Sequence, residues 1–179
     1  MMKSVKQKLT KDVDGLKKIL GVDNVMALPK VSKVIISTGT GSVKDKKKNE
    51  LIADRLVKIT GQKPSIRGAK KSIASFKVRE GDPVGYMVTL RGGRMYGFLD
   101  KLINVAIPRI RDFRGLELKS IDKMGNYTIG LKEHTVFPET SDEDLRDVFG
   151  MAITINTTAK NKKEAEALLR YIGLPIKKA

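Results

Sequence analysis

The chain has 179 residues, with 36 Lys and Arg against 20 Asp and Glu, a net charge of +16 and no cysteine. The lack of thiols excludes disulfides and thiolate-held metals and fits a reducing cytoplasm; with no long apolar run and no signal segment, no membrane partner is expected. The length predicts one domain, residues 1–179, that buries roughly 70% of its unfolded surface, and a charge this positive points to a polyanionic partner.

Residues 3–20 place Val5, Leu9, Val13, Leu16, Ile19 and Leu20 at three- and four-residue steps, predicting one amphipathic helix that Gly21 stops. "KVIIST" (33–38) reads as a strand entering the turn "GTG", and Leu51, Leu56 and Ile59 predict a helix over 46–60 closed by Gly61. "PSIRG" predicts a short strand ahead of a basic loop near 67–82. "VGYMVTLR" alternates, with Val84, Tyr86, Val88 and Leu90 pointing one way and Gly85, Met87, Thr89 and Arg91 the other. Met95, Phe98, Leu99, Leu102, Ile103 and Ala106 stripe a helix that Pro108 ends and that Gly93 and Gly97 weaken. "NYTIGLK" and "MAITINTT" alternate in the same manner as the earlier strand. Asn161 and Glu164 then predict a capping box before a last helix with Ala165, Leu168, Leu169 and Ile172 inward.

Strands with one oily and one polar or small face do not suit a doubly wound parallel sheet, which is apolar on both faces. The pattern predicts an α+β fold of two layers: a mostly antiparallel sheet, helices packed on one face, the other face open.

Catalytic chemistry finds little support. The only histidine, His134, has no oriented triad around it and is expected at the surface or half-buried. Conventional zinc needs three or four Cys or His ligands, a set that does not exist here, so no metal and no cofactor is expected. The acids of "SDED" (141–144) suit a helix N-terminus capped by Ser141 better than a Mg²⁺ site. "STGTGSVKDKKK" follows a strand but lacks the Gly-Lys-Ser/Thr of a nucleotide loop. Its glycine N–H groups and lysines suit a phosphodiester backbone instead. A phosphoryl-handling enzyme is therefore the weaker rival, and a DNA-coating architectural protein the other.

Charge is unevenly spread. Residues 63–114 hold twelve Lys and Arg against four acids, whereas residues 135–150 hold five acids and one Arg. The basic loop has almost no acid to pair its cations, carries Ile73 and Phe76 for anchoring or stacking, and leads into the strand presenting Thr89 and Arg91. Arg forms a fork to phosphate and Thr a single bond to phosphate or 2′-OH, so RNA is the expected ligand and DNA is not.

"NVMALPKVSKVIISTGTG", "GQKPSIRGAKKSIASFKVREGDPVGYMVTLRGGRMYGFLDKLINVAIPRIRDFRG", "GNYTIGLKE", "VFPE" and "ITINTTAK" together resemble the bacterial large-subunit ribosomal protein L-five family over nearly the whole chain. The resemblance implies a non-catalytic protein of the cytoplasmic ribosome, in the central protuberance of the large subunit. It implies 5S rRNA contacts at Ser37, Gly39, Gly41, Lys63, Thr89, Arg91 and Arg94, with 23S rRNA and neighbouring large-subunit proteins alongside. It implies a loop facing P-site tRNA through Lys70, Lys71, Ser72, Phe76, Lys77 and Arg79. Glu139, Asp142, Glu143, Asp144 and Asp147 become the seat of the basic small-subunit head protein S-thirteen. Ser37 stands where the family usually has Asn, which exchanges an amide for a hydroxyl.

Overall fold

Five strands, β1 (Val31–Gly39), β2 (Ser65–Gly68), β3 (Pro83–Leu90), β4 (Tyr127–Leu131) and β5 (Met151–Thr157), form one antiparallel sheet in the order β2-β3-β1-β5-β4. The coordinates are a computed structural model, which describes residues 4–41, 45–140 and 148–177. β-Branched side chains dominate the central strands, where their stiff side chains pack well on a pleated surface. Val34 and Ile36 of β1, Val88 and Leu90 of β3, and Ile153 and Ile155 of β5 are all buried. On the other parity Ser37, Met87, Thr89, Ala152 and Thr154 are half-buried and Thr128 is exposed. The fold is α+β, with one greasy sheet face and one accessible one.

The chain divides into two compact units. The first comprises residues 1–34, 90–129 and 154–179 and contains α1 (Val5–Thr10), α2 (Val13–Leu20), α4 (Gly92–Lys101) and α5 (Lys162–Ile172). The single helix expected over 3–20 is two helices. Asp12 leaves helical geometry (φ −108°, ψ 43°), and its carbonyl accepts a hydrogen bond from the Tyr171 hydroxyl of α5. The non-helical backbone at Asp12 is what ends one helix and lets the next begin. Asp100 of α4 accepts from the Val5 N–H at 2.7 Å, satisfying one of the orphan donors at the start of α1. The stripe of α4 continues through a π-helical turn, Leu102–Ala106, and a 3₁₀ turn, Ile107–Arg109; the wider turn keeps Leu102, Ala106 and Ile107 buried. Ala165, Leu168, Leu169 and Ile172 of α5 are buried as expected. The expected capping box is not formed: the Asn161 side chain caps nothing, and Glu164 accepts from the Lys160 N–H at 2.9 Å instead.

The second unit comprises residues 35–89 and 130–153 and contains α3 (Lys46–Thr60). Asp45 caps α3 by accepting from the Lys47 N–H at 3.0 Å, Ile52, Leu56 and Ile59 are buried, and Gly61 ends the helix. The helix cap expected at Ser141 lies outside the described residues.

His134 departs from expectation. It is 1% exposed rather than at the surface or half-buried. Its ring stacks on Phe149 with centroids 4.2 Å apart and planes within 9°, and the Phe149 N–H donates to Nδ1 at 3.4 Å. Burial, helped by the positive charge of Arg55, holds its pKa below the usual histidine value despite the Phe149 bond and Glu133. The unfolded chain therefore takes up the proton first as pH falls. The stabilisation is complete above about pH 6.5 and is lost as pH drops through the lowered folded value. Thermal melts between about pH 7.5 and 5 should show a steeper fall for the native chain than for His134→Gln; parallel curves would disprove the coupling.

Candidate nucleic-acid interface

The basic loop is not a slack tether. β2 pairs antiparallel with β3 through Ser65↔Met87, Ile66↔Tyr86 and Arg67↔Gly85, with an irregularity between Arg67 and Gly68. Beyond it the two arms stay joined: the Ala69 N–H donates to the Asp82 carbonyl at 2.9 Å and the Gly81 N–H to the Ala69 carbonyl at 3.0 Å. Higher up, the Glu80 N–H donates to the Ser72 hydroxyl at 2.9 Å, the Arg79 N–H to the Asp82 carboxylate at 2.8 Å, and Ile73 and Val78 exchange backbone bonds at 3.0 and 3.3 Å. A 3₁₀ turn, Ala74–Phe76, forms the tip, and Lys77 follows it in left-handed geometry (φ 52°). The Asp82 carboxylate thus spends hydrogen-bonding capacity on the loop's own backbone, and Ser72, expected as a contact, has a clear structural task.

Lys70, Lys71, Phe76, Lys77 and Arg79 are exposed on this frame. Of the residues assigned to 5S rRNA, Ser37 is half-buried on β1, Gly39 and Gly41 are exposed at and beyond its end, and Lys63 is exposed between α3 and β2. Thr89 is half-buried on β3, and its carbonyl accepts from Gln62 Nε2 at 3.3 Å, which ties it to the neighbourhood of Lys63. The structure also brings Gly41 to the loop: it lines one recess with Lys70, Lys71, Ile73 and Phe76.

Two residues sit differently from expectation. Arg91 is not a strand residue: β3 ends at Leu90, and Arg91 is the extended N-cap of α4. Gly92, at φ 57°, turns the chain out of the strand in a conformation that side chains other than glycine resist. Arg91 and Arg94 are exposed and belong to the first unit, whereas the loop, Ser37, Lys63 and Thr89 belong to the second. Arg67, which sequence reading passed over, is exposed on β2; it pairs with Gly85, so it shares the accessible face of Met87, and its Nη2 lies 3.7 Å from the Met87 Sδ. Only the strand register, with its irregularity at Gly68, reveals this. Among the described residues none of Lys63, Arg67, Lys70, Lys71, Lys77, Arg79, Arg91 and Arg94 pairs with a carboxylate. Glu139 is exposed on the 3₁₀ turn Pro138–Thr140; Asp142, Glu143, Asp144 and Asp147 lie outside the described residues.

Residues 24–79 match the family model described as ribosomal protein L5, and residues 83–176 match the model of the C-terminus of the same ribosomal family. The chain belongs to the ribosomal protein L5 family. It is 52% identical over 161 residues to the large ribosomal subunit protein uL5 of Natranaerobius thermophilus, covering 89% of this chain and 90% of the relative. It is 47% identical over 180 residues to that of Acidobacterium capsulatum, covering 99% and 98%. The uL5 of Francisella tularensis subsp. novicida is 50% identical over 166 residues, covering 92% and 93%. The family is structural and non-enzymatic, and RNA binding accords with the cationic, hydrogen-bonded loop described above. Among the described residues no cluster of three His, Asp or Glu is placed to hold a metal, and no helix is long and apolar enough to cross a membrane.

Proposed function

We propose that this protein is a structural constituent of the large ribosomal subunit in the cytoplasm that binds 5S rRNA and 23S rRNA in the central protuberance. Its loop contacts P-site tRNA, and its acidic segment at Glu139 and beyond meets the basic head protein S-thirteen of the small subunit, with neighbouring large-subunit proteins packed alongside. One observation carries the reading: eight exposed cations between residues 63 and 94 have no carboxylate partner among the described residues. Cations left unpaired on a hydrogen-bonded frame are held ready for phosphate, because the ordering that binding would otherwise demand has already been met in folding. Ser37, Gly39, Gly41, Lys63, Thr89, Arg91 and Arg94 serve 5S rRNA; Lys70, Lys71, Phe76, Lys77 and Arg79 serve tRNA, with Ser72 bracing them. The whole chain, 1–179, acts as one rRNA-binding domain.

The test separates the two RNAs. Arg91→Ala should weaken 5S rRNA binding by about tenfold or more, as expected for a lost charge-assisted bond, while Lys18→Ala, on the exposed side of α2, should change it little. Replacing residues 71–79 with a short glycine turn should leave the melting temperature and 5S rRNA affinity near native values, because the loop buries almost nothing. The same deletion should abolish retention of tRNA on reconstituted ribosomes. Equal losses from Arg91→Ala and Lys18→Ala, or a melted protein after the deletion, would refute these assignments.

A further inference from the structure

We infer that the recess along the loop is a subsite for one unstacked RNA base, with Lys70 and Lys71 on the flanking phosphates. The recess holds about 720 Å³ and is lined by Ala69, Ile73, Phe76, Val78 and Val84 together with the two lysines. Phe76 is 72% exposed and Ile73 46%. A chain of net charge +16 has no lack of solubilising side chains, so large apolar groups kept in water mark a contact surface. Two chemistries meet here within one short loop: an apolar wall that includes an exposed aromatic ring, and two adjacent lysines. A nucleotide is the ligand that carries both complements, a flat π-face and an adjoining anion. A paired helix hides its base faces, so the occupant is a base splayed from a loop, bulge or corner.

Backbone geometry supports the same conclusion. Lys77, directly after Phe76, is one of two non-glycine residues with positive φ among the described residues. Such strain persists where surrounding structure enforces it and gathers at binding sites. Here the Ile73–Val78 backbone pair enforces it, holding Phe76 at the mouth of the recess. An uncharged apolar peptide would use the wall and leave the lysines idle.

This inference rests on the reading of the loop as RNA-facing, and the experiment distinguishes the two. The full chain is titrated with two RNA hairpins, one fully paired and one with a single bulged 2-aminopurine. The bulged hairpin is expected to bind more tightly, with a change in 2-aminopurine emission that the native protein produces without any mutation. Phe76→Ala should remove the emission change and weaken the bulged complex by roughly 5- to 150-fold, the range for losing one base–aromatic stack. It should leave the salt slope and the paired complex alone. Lys70→Ala with Lys71→Ala should weaken both hairpins and lower the salt slope by about one per lysine. If the lysine changes act but the two hairpins bind alike and Phe76→Ala is silent, the base subsite is overturned while the RNA-facing loop stands. If neither set of changes alters RNA affinity, both fall, and the recess belongs to an apolar protein segment.

Discussion

Raising monovalent salt from 50 to 200 mM is expected to weaken the complex with 5S rRNA by roughly 50- to 150-fold, the loss that follows when about four phosphates are neutralised by the protein. The number of contacts follows from the side chains available. Lys63, Arg67, Arg91 and Arg94, outside the tRNA-facing part of the loop, are exposed and unpaired among the described residues. By contrast, Lys58 lies 3.2 Å from Asp54 and Arg170 2.8 Å from Glu166, each one helical turn away. A cation already paired to a carboxylate releases fewer counterions on binding than a free one, so the second group should contribute little to the slope. A fluorescence titration at five salt concentrations gives that slope directly. The same series with duplex DNA discriminates the architectural DNA-coating alternative: a shape-reading rRNA protein keeps a residual preference for 5S rRNA once salt has stripped the common electrostatic term. Equal affinities for duplex DNA and 5S rRNA at every salt would leave only non-specific charge and refute the assignment. A slope near −1 would refute the contact inventory itself.

The parts of the fold that were legible in sequence are those decided by short-range pattern. β3 was readable because Val88 and Leu90 are buried on one parity while Met87 and Thr89 are not. α3 was readable to its last residue because Leu51, Leu56 and Ile59 fall at helical spacing and Gly61 marks its end. The misses share a different origin, since each involves a partner distant in the chain. The break between α1 and α2 falls at Asp12, whose carbonyl meets Tyr171, 159 residues away. The burial of His134 depends on Phe149, and nothing in the flanking Glu133 or Thr135 announces an interior site. The site divides along the same line. Its cations could be named from composition, since an acid-poor run needs no tertiary knowledge. That Gly41 and Val84 wall the same recess as Phe76 could not, because it follows from the pairing of Thr40 with Val84, whose N–H···O distance is 2.8 Å. Arg67 was missed for the same reason: its face is set by register, and a slip of one residue reverses it.

That pairing of β1 with β3 is also where a single atom should do most harm. Gly85→Val is expected to destabilise the protein by about 3 kcal/mol, the upper part of the range for overpacking a tight site. A Cβ at Gly85 would stand 2.8 Å from the Thr38 carbonyl oxygen and 3.7 Å from the Gly39 Cα. These are backbone atoms of the adjacent strand, so no rotamer change relieves the clash; β3 must move away from β1, straining the neighbouring bond from the Thr40 N–H to the Val84 carbonyl. For a chain of this length the cost corresponds to a fall in melting temperature of roughly 6–12 °C. In urea it should appear as a lower midpoint at unchanged slope, by roughly 1–3 M. The matched comparison is Gly97→Ala in α4, where an added Cβ meets nothing within 4 Å. Inside a helix, glycine gives way to alanine with a gain of about 0.5–1 kcal/mol, through the conformational freedom the unfolded chain no longer has. Two glycines nearby in sequence, one on a strand and one on a helix, should therefore respond with opposite signs. RNA binding then separates stability from the interface. Gly85→Val should also weaken 5S rRNA at a temperature where it is still folded, because Ser37 and Thr89 ride on the two strands it forces apart; if affinity there matches the native chain, those strands do not carry the contact.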